Sequence, residues 1–329
     1  MKVAIVYNDP VAERPDSVDV LDQVTMVREA LGNLGYDQLS FPVGSGTDPF
    51  SLLLSQLRQY SPAAVFNLFE GLNDDQRYCP MVASLFEMAR IPYTGVPFPA
   101  ILTTTDKIIA KSILTAYGLP TPPWQAYDGD LGQIRVPPPW ILKPAWEDGS
   151  VGIDDGSVVE DQETLLEKLR DMHGRHRGRQ VLIEQYIDGR EINVPLFEKA
   201  ETGVEVLPVS EILFEEWPAG KPKIVNYSAK WVEDSFEYEN TRRTFAPENA
   251  PIDLIKGLAL RCWRIFQLRG YARVDMRLDG RGNPYIIEIN PNPCIGGESG
   301  FISSVREAGY TNEDFVREMV AVACRSGRE

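Results

Sequence analysis

The chain has 329 residues, 43% of them hydrophobic and 25% charged, with a formal net charge of −15. That length accommodates two or three domains with their own cores, and the acidic balance argues against nucleic acid or an anionic membrane as a partner. Two histidines only, His173 and His176, and four widely spaced cysteines, Cys79, Cys262, Cys294 and Cys324, exclude most histidine-based zinc sites and argue against a Ser-His-Asp hydrolase. The thiols read as reduced, which predicts a cytoplasmic protein. No stretch reaches the roughly 18 apolar residues of a membrane span, and the apolar segment of MKVAIVYNDP is too short for a signal peptide.

Residues 3–7 are a nearly all-apolar run suited to a central parallel strand, followed by a loop over 8–15 and a helix over 18–34 ended by Gly35. Strand, loop and helix in this order predict an open α/β sheet whose ligands bind at the carboxyl ends of its strands. Glu13 falls in that loop, facing a ligand or on the surface. Residues 49–60 and 81–89 read as helices, 63–67 as a buried strand followed by a loop over 68–76, and 91–95 as a short strand; the first domain is placed at 1–105.

Residues 106–117 predict a helix ended by Gly118, with Lys107 at its start, by itself an unremarkable solvated charge. Lys143 sits in an apolar strand over 140–144, and a buried lysine needs an anionic partner. The glycines and serine of 145–152 can turn backbone N–H groups toward an anion, although no Gly-Lys-Ser/Thr follows and the segment is not a Walker loop. A helix over 162–172 leads to the basic run 173–179, read as a solvated loop, and then to strands over 181–186 and 191–197 around the turn Asp188-Gly189. The second domain is placed at 106–190 and the third at 191–329. In the third, 206–214 is strand-like, 218–247 is polar and irregular with a strand around Lys230, 251–268 is an amphipathic helix, and 311–324 is a closing helix on the C-terminal domain.

Residues 271–278 and 284–290 are strand-forming runs flanking a Gly- and Asn-containing turn, which predicts an antiparallel hairpin. Alternation pairs Val274/Ile289, Met276/Ile287 and Leu278/Tyr285 on one face, and Arg273/Asn290 and Asp275/Glu288 on the other. Like charges at this spacing repel and raise each other's pKa. The patch is either a site for a hard cation such as Mg²⁺ or Mn²⁺, completed by water and substrate phosphate, or an exposed polar hairpin face with one ion pair.

Asp275 followed by Glu288-Ile289-Asn290-Pro291-Asn292-Pro293 resembles the metal motif of the ATP-grasp carboxylate–amine ligases, in particular the D-alanine–D-alanine ligase branch, and the resemblance covers most of the chain. It implies a three-domain ATP-grasp fold, α/β with an α+β C-terminal half, whose second and third domains enclose ATP. It implies a reaction in which ATP phosphorylates a carboxylate, an amine attacks the acyl phosphate, and an amide, ADP and phosphate are released. By the same resemblance Asp275, Glu288 and Asn290 hold two Mg²⁺ ions, and Lys107, Lys143 and Lys230 contact phosphates. Glu184 with Tyr186 and Ile187 binds the adenine, and Glu191 the ribose. Arg273 is the donor to the oxyanion, a contact whose loss typically costs about 10²- to 10³-fold in rate. Ser150 belongs to the lid over the phosphates, Trp231 to the segment covering the substrate, Glu13 in Ala12-Glu13-Arg14 holds the first substrate's amino group, and Ser299 holds the second substrate's carboxylate. A homodimer is implied as well.

Four positions depart from that pattern: Gly149 stands where the family has a serine, Trp231 a tyrosine, Phe69 a histidine and Cys294 a glycine. Cys294 reads as a packed residue or a reactive thiol. The expectation is a ligase for amino acids or small peptides other than two D-alanines. A genuine D-alanine–D-alanine ligase, a non-catalytic nucleotide-binding protein and a small-molecule kinase on the same fold are the alternatives.

Overall fold

The computed structural model describes residues 1–10, 15–73, 75–130, 132–176 and 178–327, so Glu13 lies outside the described residues. Val3, Ala4, Ile5 and Val6 are fully buried, as an apolar run without alternation requires. They form β1 (Lys2–Asn8), followed by α1 (Pro15–Asn33), β2 (Asp37–Val43), α2 (Pro49–Tyr60), β3 (Ala64–Leu68), α3 (Cys79–Ala89) and α4 (Phe98–Thr105). The sheet is parallel with β1 between β2 and β3, the open arrangement expected. The strand anticipated over 91–95 shrinks to a single bridge, Val65 with Tyr93, because Pro92 has no N–H and offers only its carbonyl, to Val65 N at 2.8 Å.

The second sheet follows α5 (Lys107–Ala116), whose start is capped by Asp106 Oδ1 accepting from Ile108 N and Ile109 N. It comprises β4 (Trp124–Tyr127), β5 (Trp140–Pro144), β6 (Val158–Val159) and, after α6 (Gln162–Arg175), β7 (Val181–Gln185), antiparallel in the order β4-β7-β5-β6. The basic run after residue 172 is not the solvated loop expected. Helix α6 extends into it as far as Arg175, His173 meets the Tyr127 ring edge-on at 5.4 Å, and Arg179, beyond the helix, reaches Asp75 at 3.0 Å.

The third sheet is built from β8 (Arg190–Lys199), β9 (Gly203–Val206), β10 (Ser210–Phe214) and, after α7 (Tyr227–Trp231) and α8 (Phe236–Glu239), β11 (Thr241–Phe245). After α9 (Ile252–Ile265) come β12 (Tyr271–Leu278) and β13 (Pro284–Asn290), giving the order β11-β10-β8-β12-β13 with β9 beside β8. Helices α10 (Gly300–Glu307) and α11 (Asn312–Ser326) close the chain. Pro208 divides the run 206–214 into two strands, and Lys230 lies on a short helix, not on a strand: Asn226 caps α7 by accepting from Ala229 N at 3.0 Å. Helix α11 packs on β8 as expected but also on α1 and β3, so the first and third sheets share an apolar core that includes Ile5, Phe66, Phe197 and Phe315. At a second point of contact Gly270 lies at φ +71°, where a Cβ would stand 3.0 Å from the backbone of Gly95. Among the described residues no helix is long and apolar enough to cross a membrane.

The register of the β12–β13 hairpin is as predicted at Arg273/Asn290, Val274/Ile289 and Asp275/Glu288, and then shifts at a bulge. Met276 pairs with Ile286 and Leu278 with Pro284, not with Ile287 and Tyr285. The cause lies outside the hairpin. Ile286 N donates to Pro120 O at 2.8 Å, and Ile286 O accepts from Lys111 Nζ and Thr121 Oγ1 at 3.0 and 2.8 Å. The bulge leaves Ile287 beside Glu288 in the wall of the central cavity.

Candidate active site

The three sheets meet around a cavity of about 630 Å³. Its floor is a lysine-rich cluster. Lys107 lines it from α5, and Lys111, one helical turn on, is buried outside the lining; both are nearly fully buried. Lys107 Nζ donates to Glu147 O at 2.6 Å and Asp148 Oδ1 at 3.0 Å and lies 3.3 Å from Glu288 Oε1. Burial works against its charge, but Asp148 and Glu288 raise its pKa above the ordinary lysine value. Burial disfavours both carboxylates too. The outcome is asymmetric: Asp148 is pushed up, whereas Lys107 and Lys230 hold Glu288 well below the usual carboxylate range.

Beside this cluster Glu184 is 1% exposed and ion-paired with both Lys143, at 2.6 Å, and Lys111. Against the cost of burial the two lysines lower the Glu184 pKa, while burial, only partly offset by Glu184, lowers Lys111 to about 8. Lys111 went unrecognised in the sequence. The available signal was its spacing of four from Lys107 on a helix whose buried face is otherwise apolar.

The linker after β7 forms the next wall. Arg277, on the cavity face of β12, donates to the carbonyls of Ile187, Gly189 and Lys223 at 3.0, 3.0 and 2.6 Å, and to Glu191 Oε2 at 3.2 Å. Its guanidinium lies 5.4 Å from the centre of the Tyr186 ring. Burial raises the Glu191 pKa, with Arg277 opposing. Arg277 is a further residue the sequence reading missed, although alternation from Arg273 and Asp275 places it on the same face. The turn beneath it needs glycine: a Cβ on Gly189 would fall 1.9 Å from Leu278 O.

Arg273 forks onto Asp275, with Nε and Nη2 at 2.7 and 2.8 Å, and Asn193 Nδ2 donates to the same carboxylate at 2.8 Å. Glu288 and Asn290 face the cavity from β13. Lys230 enters from α7, its pKa lowered by burial and by the Arg273 charge. The residues expected around a metal and phosphates are thus brought together, Asp275 and Glu288 as direct cross-strand partners. Asp275, Glu288 and Asn290 supply hard oxygen donors, but too few for a closed cage, a donor set suited to Mg²⁺, which keeps water and phosphate ligands.

The lid and the covering segment are tied together. Ser150 Oγ donates to Val225 O at 2.7 Å, Trp231 Nε1 to Gly149 O at 2.8 Å, and Asn226 Nδ2 to Asp155 Oδ1 at 2.9 Å. Two of the departures noted in the sequence therefore meet: Gly149, at φ +62°, faces the Trp231 ring, which a Cβ would approach to 3.7 Å. Tyr227 OH completes the closure by donating to Asp16 on α1 at 2.6 Å.

The wall from the first sheet is acidic, formed by Asp16, Asp19 and Asp22 on one face of α1 and by Glu70. Burial, eased by a hydrogen bond from Gln23, pushes Glu70 up to about 8. Phe69 is fully buried in the core, so Glu70 and not Phe69 lines the cavity from this loop. The Cys294 thiol is raised by burial and by Asp19, the opposite of an activated thiolate, and agrees with the packed alternative. Ser299 precedes α10 in the cavity wall, its Oγ buried without a hydrogen-bond partner.

An open parallel sheet and two antiparallel sheets enclosing cations, carboxylates and a lid define an ATP-grasp protein. A crystal structure of D-alanine–D-alanine ligase from Bacillus anthracis complexed with ATP superimposes with a TM-score of 0.78 and 20% identity, over 100% of this chain and 99% of that one. The model of the D-ala D-ala ligase C-terminus matches residues 132–321, and the chain belongs to the D-alanine–D-alanine ligase family. It is 30% identical over 83% of its length to "Uncharacterized protein y4sG" of Sinorhizobium fredii, covering 80% of that protein. It is 29% identical over 98% of its length to the D-alanine–D-alanine ligase of Bordetella avium, covering 94% of that enzyme.

Proposed function

We propose that the protein is an ATP-dependent carboxylate–amine ligase acting on amino acids or small peptides, with the division 1–105, 106–190 and 191–329 separating a substrate domain from two nucleotide-enclosing ones. The observation that carries this reading is the convergence of Lys107, Lys143, Lys230, Arg273, Asp275 and Glu288 on one cavity beneath a closed lid.

Lys107 and Lys143 from the floor and Lys230 from the covering segment neutralise the phosphates of ATP. Glu184, Tyr186 and Ile187 take the adenine, and Glu191 the ribose, because the neutral end of the nucleotide can donate to carboxylates and carbonyls. Asp275, Glu288 and Asn290 would hold Mg²⁺, which when bound offsets phosphate charge during phosphoryl transfer. Ser150, tied to Val225 O, keeps the lid down so that the acyl phosphate formed on the substrate carboxylate is shielded from water. Arg273, oriented by its fork on Asp275, is the preorganised cation for the oxyanion that develops when the amine attacks. The acidic wall of Asp16, Asp19, Asp22 and Glu70 suits substrate ammonium groups, and Trp231 closes over them from the lid side.

Relatives named D-alanine–D-alanine ligase make D-alanine the first substrate to try. The indole bonded to Gly149 O replaces a serine–tyrosine pair of hydroxyls, and favours a different side chain or a peptide in one of the two positions. The test is phosphate release from ATP and Mg²⁺ with pairs of D- and L-amino acids and dipeptides, read with the mass of the product. Release that needs two substrates and gives a new amide is the expected result. Efficient synthesis of D-alanyl-D-alanine with no better pair would overturn the substrate reading, and ATP turnover that stops at a phosphorylated product would overturn the ligase.

A further inference from the structure

The covering segment grips the lid from one side, and the first domain grips it from another. In the loop after β3, Gln76 Oε1 accepts from the backbone N–H of Asp148 at 2.7 Å. Its neighbour Asp75 pairs with Arg179 of the second domain at 3.0 Å, and Arg179 in turn lies 3.7 Å from Glu147 Oε1 in the lid. His176 Nδ1 stands 3.6 Å from the same carboxylate oxygen. Arg77 holds Asp75 in place with a fork, Nε at 2.9 Å and Nη2 at 2.6 Å, and with its backbone N–H at 3.2 Å. The loop that carries these residues is tightly folded: Leu72 and Asp75 exchange backbone hydrogen bonds at 3.0 and 3.3 Å, and a Cβ on Gly71 would fall 2.8 Å from Asp75 O. Asn8 Oδ1, at the end of β1, accepts from Glu70 N at 3.2 Å and fixes the start of the loop.

Asp148, the residue that Gln76 holds, itself holds a lysine of the cavity floor. Asp148 Oδ1 accepts from Lys107 Nζ at 3.0 Å, and Lys107 lies 3.3 Å from Glu288 Oε1. Asp148 O accepts from Val151 N at 3.1 Å, which closes the turn of the lid, so the residue is bonded through its N–H, its carbonyl and its side chain. The path Gln76, Asp148, Lys107, Glu288 thus runs from the loop after β3 through the lid and α5 to β13. The acceptor at its head is suited by being neutral. Glu147 and Asp148 already put two carboxylates at the start of the lid, and a third would repel them. An amide oxygen accepts the N–H without adding charge.

We propose that Gln76, anchored by the Asp75–Arg179 pair, is a positioning residue for the reaction. It acts through Asp148 to hold Lys107 in place for the phosphates, and it makes closure of the lid depend on docking of the first domain. The inference rests on the ligase reading for the nucleotide and goes beyond it by tying the substrate domain to the phosphate end of the site. The loop carries Glu70 of the acidic wall at one end and Gln76 at the other, so a substrate seated on that wall and a triphosphate under the lid stabilise one arrangement of the same loop. Two ligands that share a closed state strengthen each other's binding by the same factor. The residues assigned to adenine and ribose, Glu184, Tyr186, Ile187 and Glu191, lie outside this path.

The test follows the lid by hydrogen–deuterium exchange of the full chain, with and without a non-hydrolysable ATP analogue and Mg²⁺, beside calorimetric titration of the analogue and of adenosine. Gln76→Ala should speed exchange in the lid peptide containing Asp148 by about 5- to 10-fold, with exchange in β1 and β7 unchanged. It should weaken the analogue by about 3- to 10-fold and leave adenosine unaffected, a split that a general loss of structure would not produce. Asp75→Asn and Arg179→Gln should each give part of the effect, and the double variant no more than the larger of the two, because both act through one pair. Unchanged lid exchange in Gln76→Ala, equal weakening of analogue and adenosine, or additive losses in the double variant would each overturn the proposal. Faster lid exchange with unchanged analogue affinity would overturn it as well, since Lys107 would then be placed without Gln76. Failure of the wild type to bind the analogue would instead count against the ligase reading, while exchange of the unloaded lid would still decide whether Gln76 holds it.

Discussion

The buried triad of Lys111, Glu184 and Lys143 makes a quantitative prediction about which charge holds the second sheet to α5. Glu184 is the single anion between two cations, so Glu184→Gln leaves two buried ammonium groups facing an amide. Breaking a buried pair by removing one partner costs about 3–5 kcal/mol. Lys111→Met is milder. The Lys143–Glu184 contact at 2.6 Å survives, and Thr121 still donates to Ile286 O at 2.8 Å. The loss is then roughly 1–2 kcal/mol, that of a hydrogen-bonded group. In the double variant the repulsion between the two lysines is gone, so the combined cost should fall short of the sum by about 1–3 kcal/mol. Urea unfolding at pH 7 without nucleotide, followed by circular dichroism, measures all three. The reasoning fails if Lys111→Met costs as much as Glu184→Gln, or if the two losses add to within about 0.5 kcal/mol.

The same triad sets a pH dependence. Burial lowers Lys111 from 10.5 in the unfolded chain to about 8, so the folded state carries a penalised charge below pH 8 and sheds it before the unfolded state does. Its contribution to stability therefore rises as pH climbs from about 8 to 10.5, and Lys111→Met should flatten that rise in unfolding free energies measured across the window. Trp231→Phe removes the bond to Gly149 O and should raise the KM for ATP by roughly 3- to 10-fold with little change in melting temperature. Arg277→Lys loses the planar fork on the linker carbonyls and should weaken ATP binding by roughly 10- to 100-fold in a direct titration, since an ammonium cannot span them. Glu288→Gln should lower phosphate release at saturating ATP by at least about 100-fold while nucleotide binding persists. A variant that retains wild-type turnover would remove Glu288 from the metal site.

Much of this protein is determined locally. The apolar run before Tyr7 had to become a central strand because nothing in it tolerates water. The alternation along β12 and β13 put Asp275, Glu288, Arg273 and Asn290 on one face, since side chains of a strand have only two faces to choose between. Lys143 within an apolar strand announced an anionic partner before any was visible. What the sequence left open depends on contacts between segments distant in the chain. The bulge at Ile287 arises because residues 111–121 claim the backbone of Ile286, which no pattern within the hairpin reveals. Helix α7 forms around Lys230 because Asn226 caps it while also bonding Asp155 just beyond the lid, and its five residues are too few for a periodic signal. The roles of Arg277 and Glu70 follow from which neighbours each meets in the assembled cavity, and that of Lys111 from Glu184, Thr121 and Ile286 packed against it. The same holds for Arg243: along β11 it is one more charged residue on an edge strand, and only the approach of α10, permitted by the missing side chain at Gly300, half-buries its guanidinium.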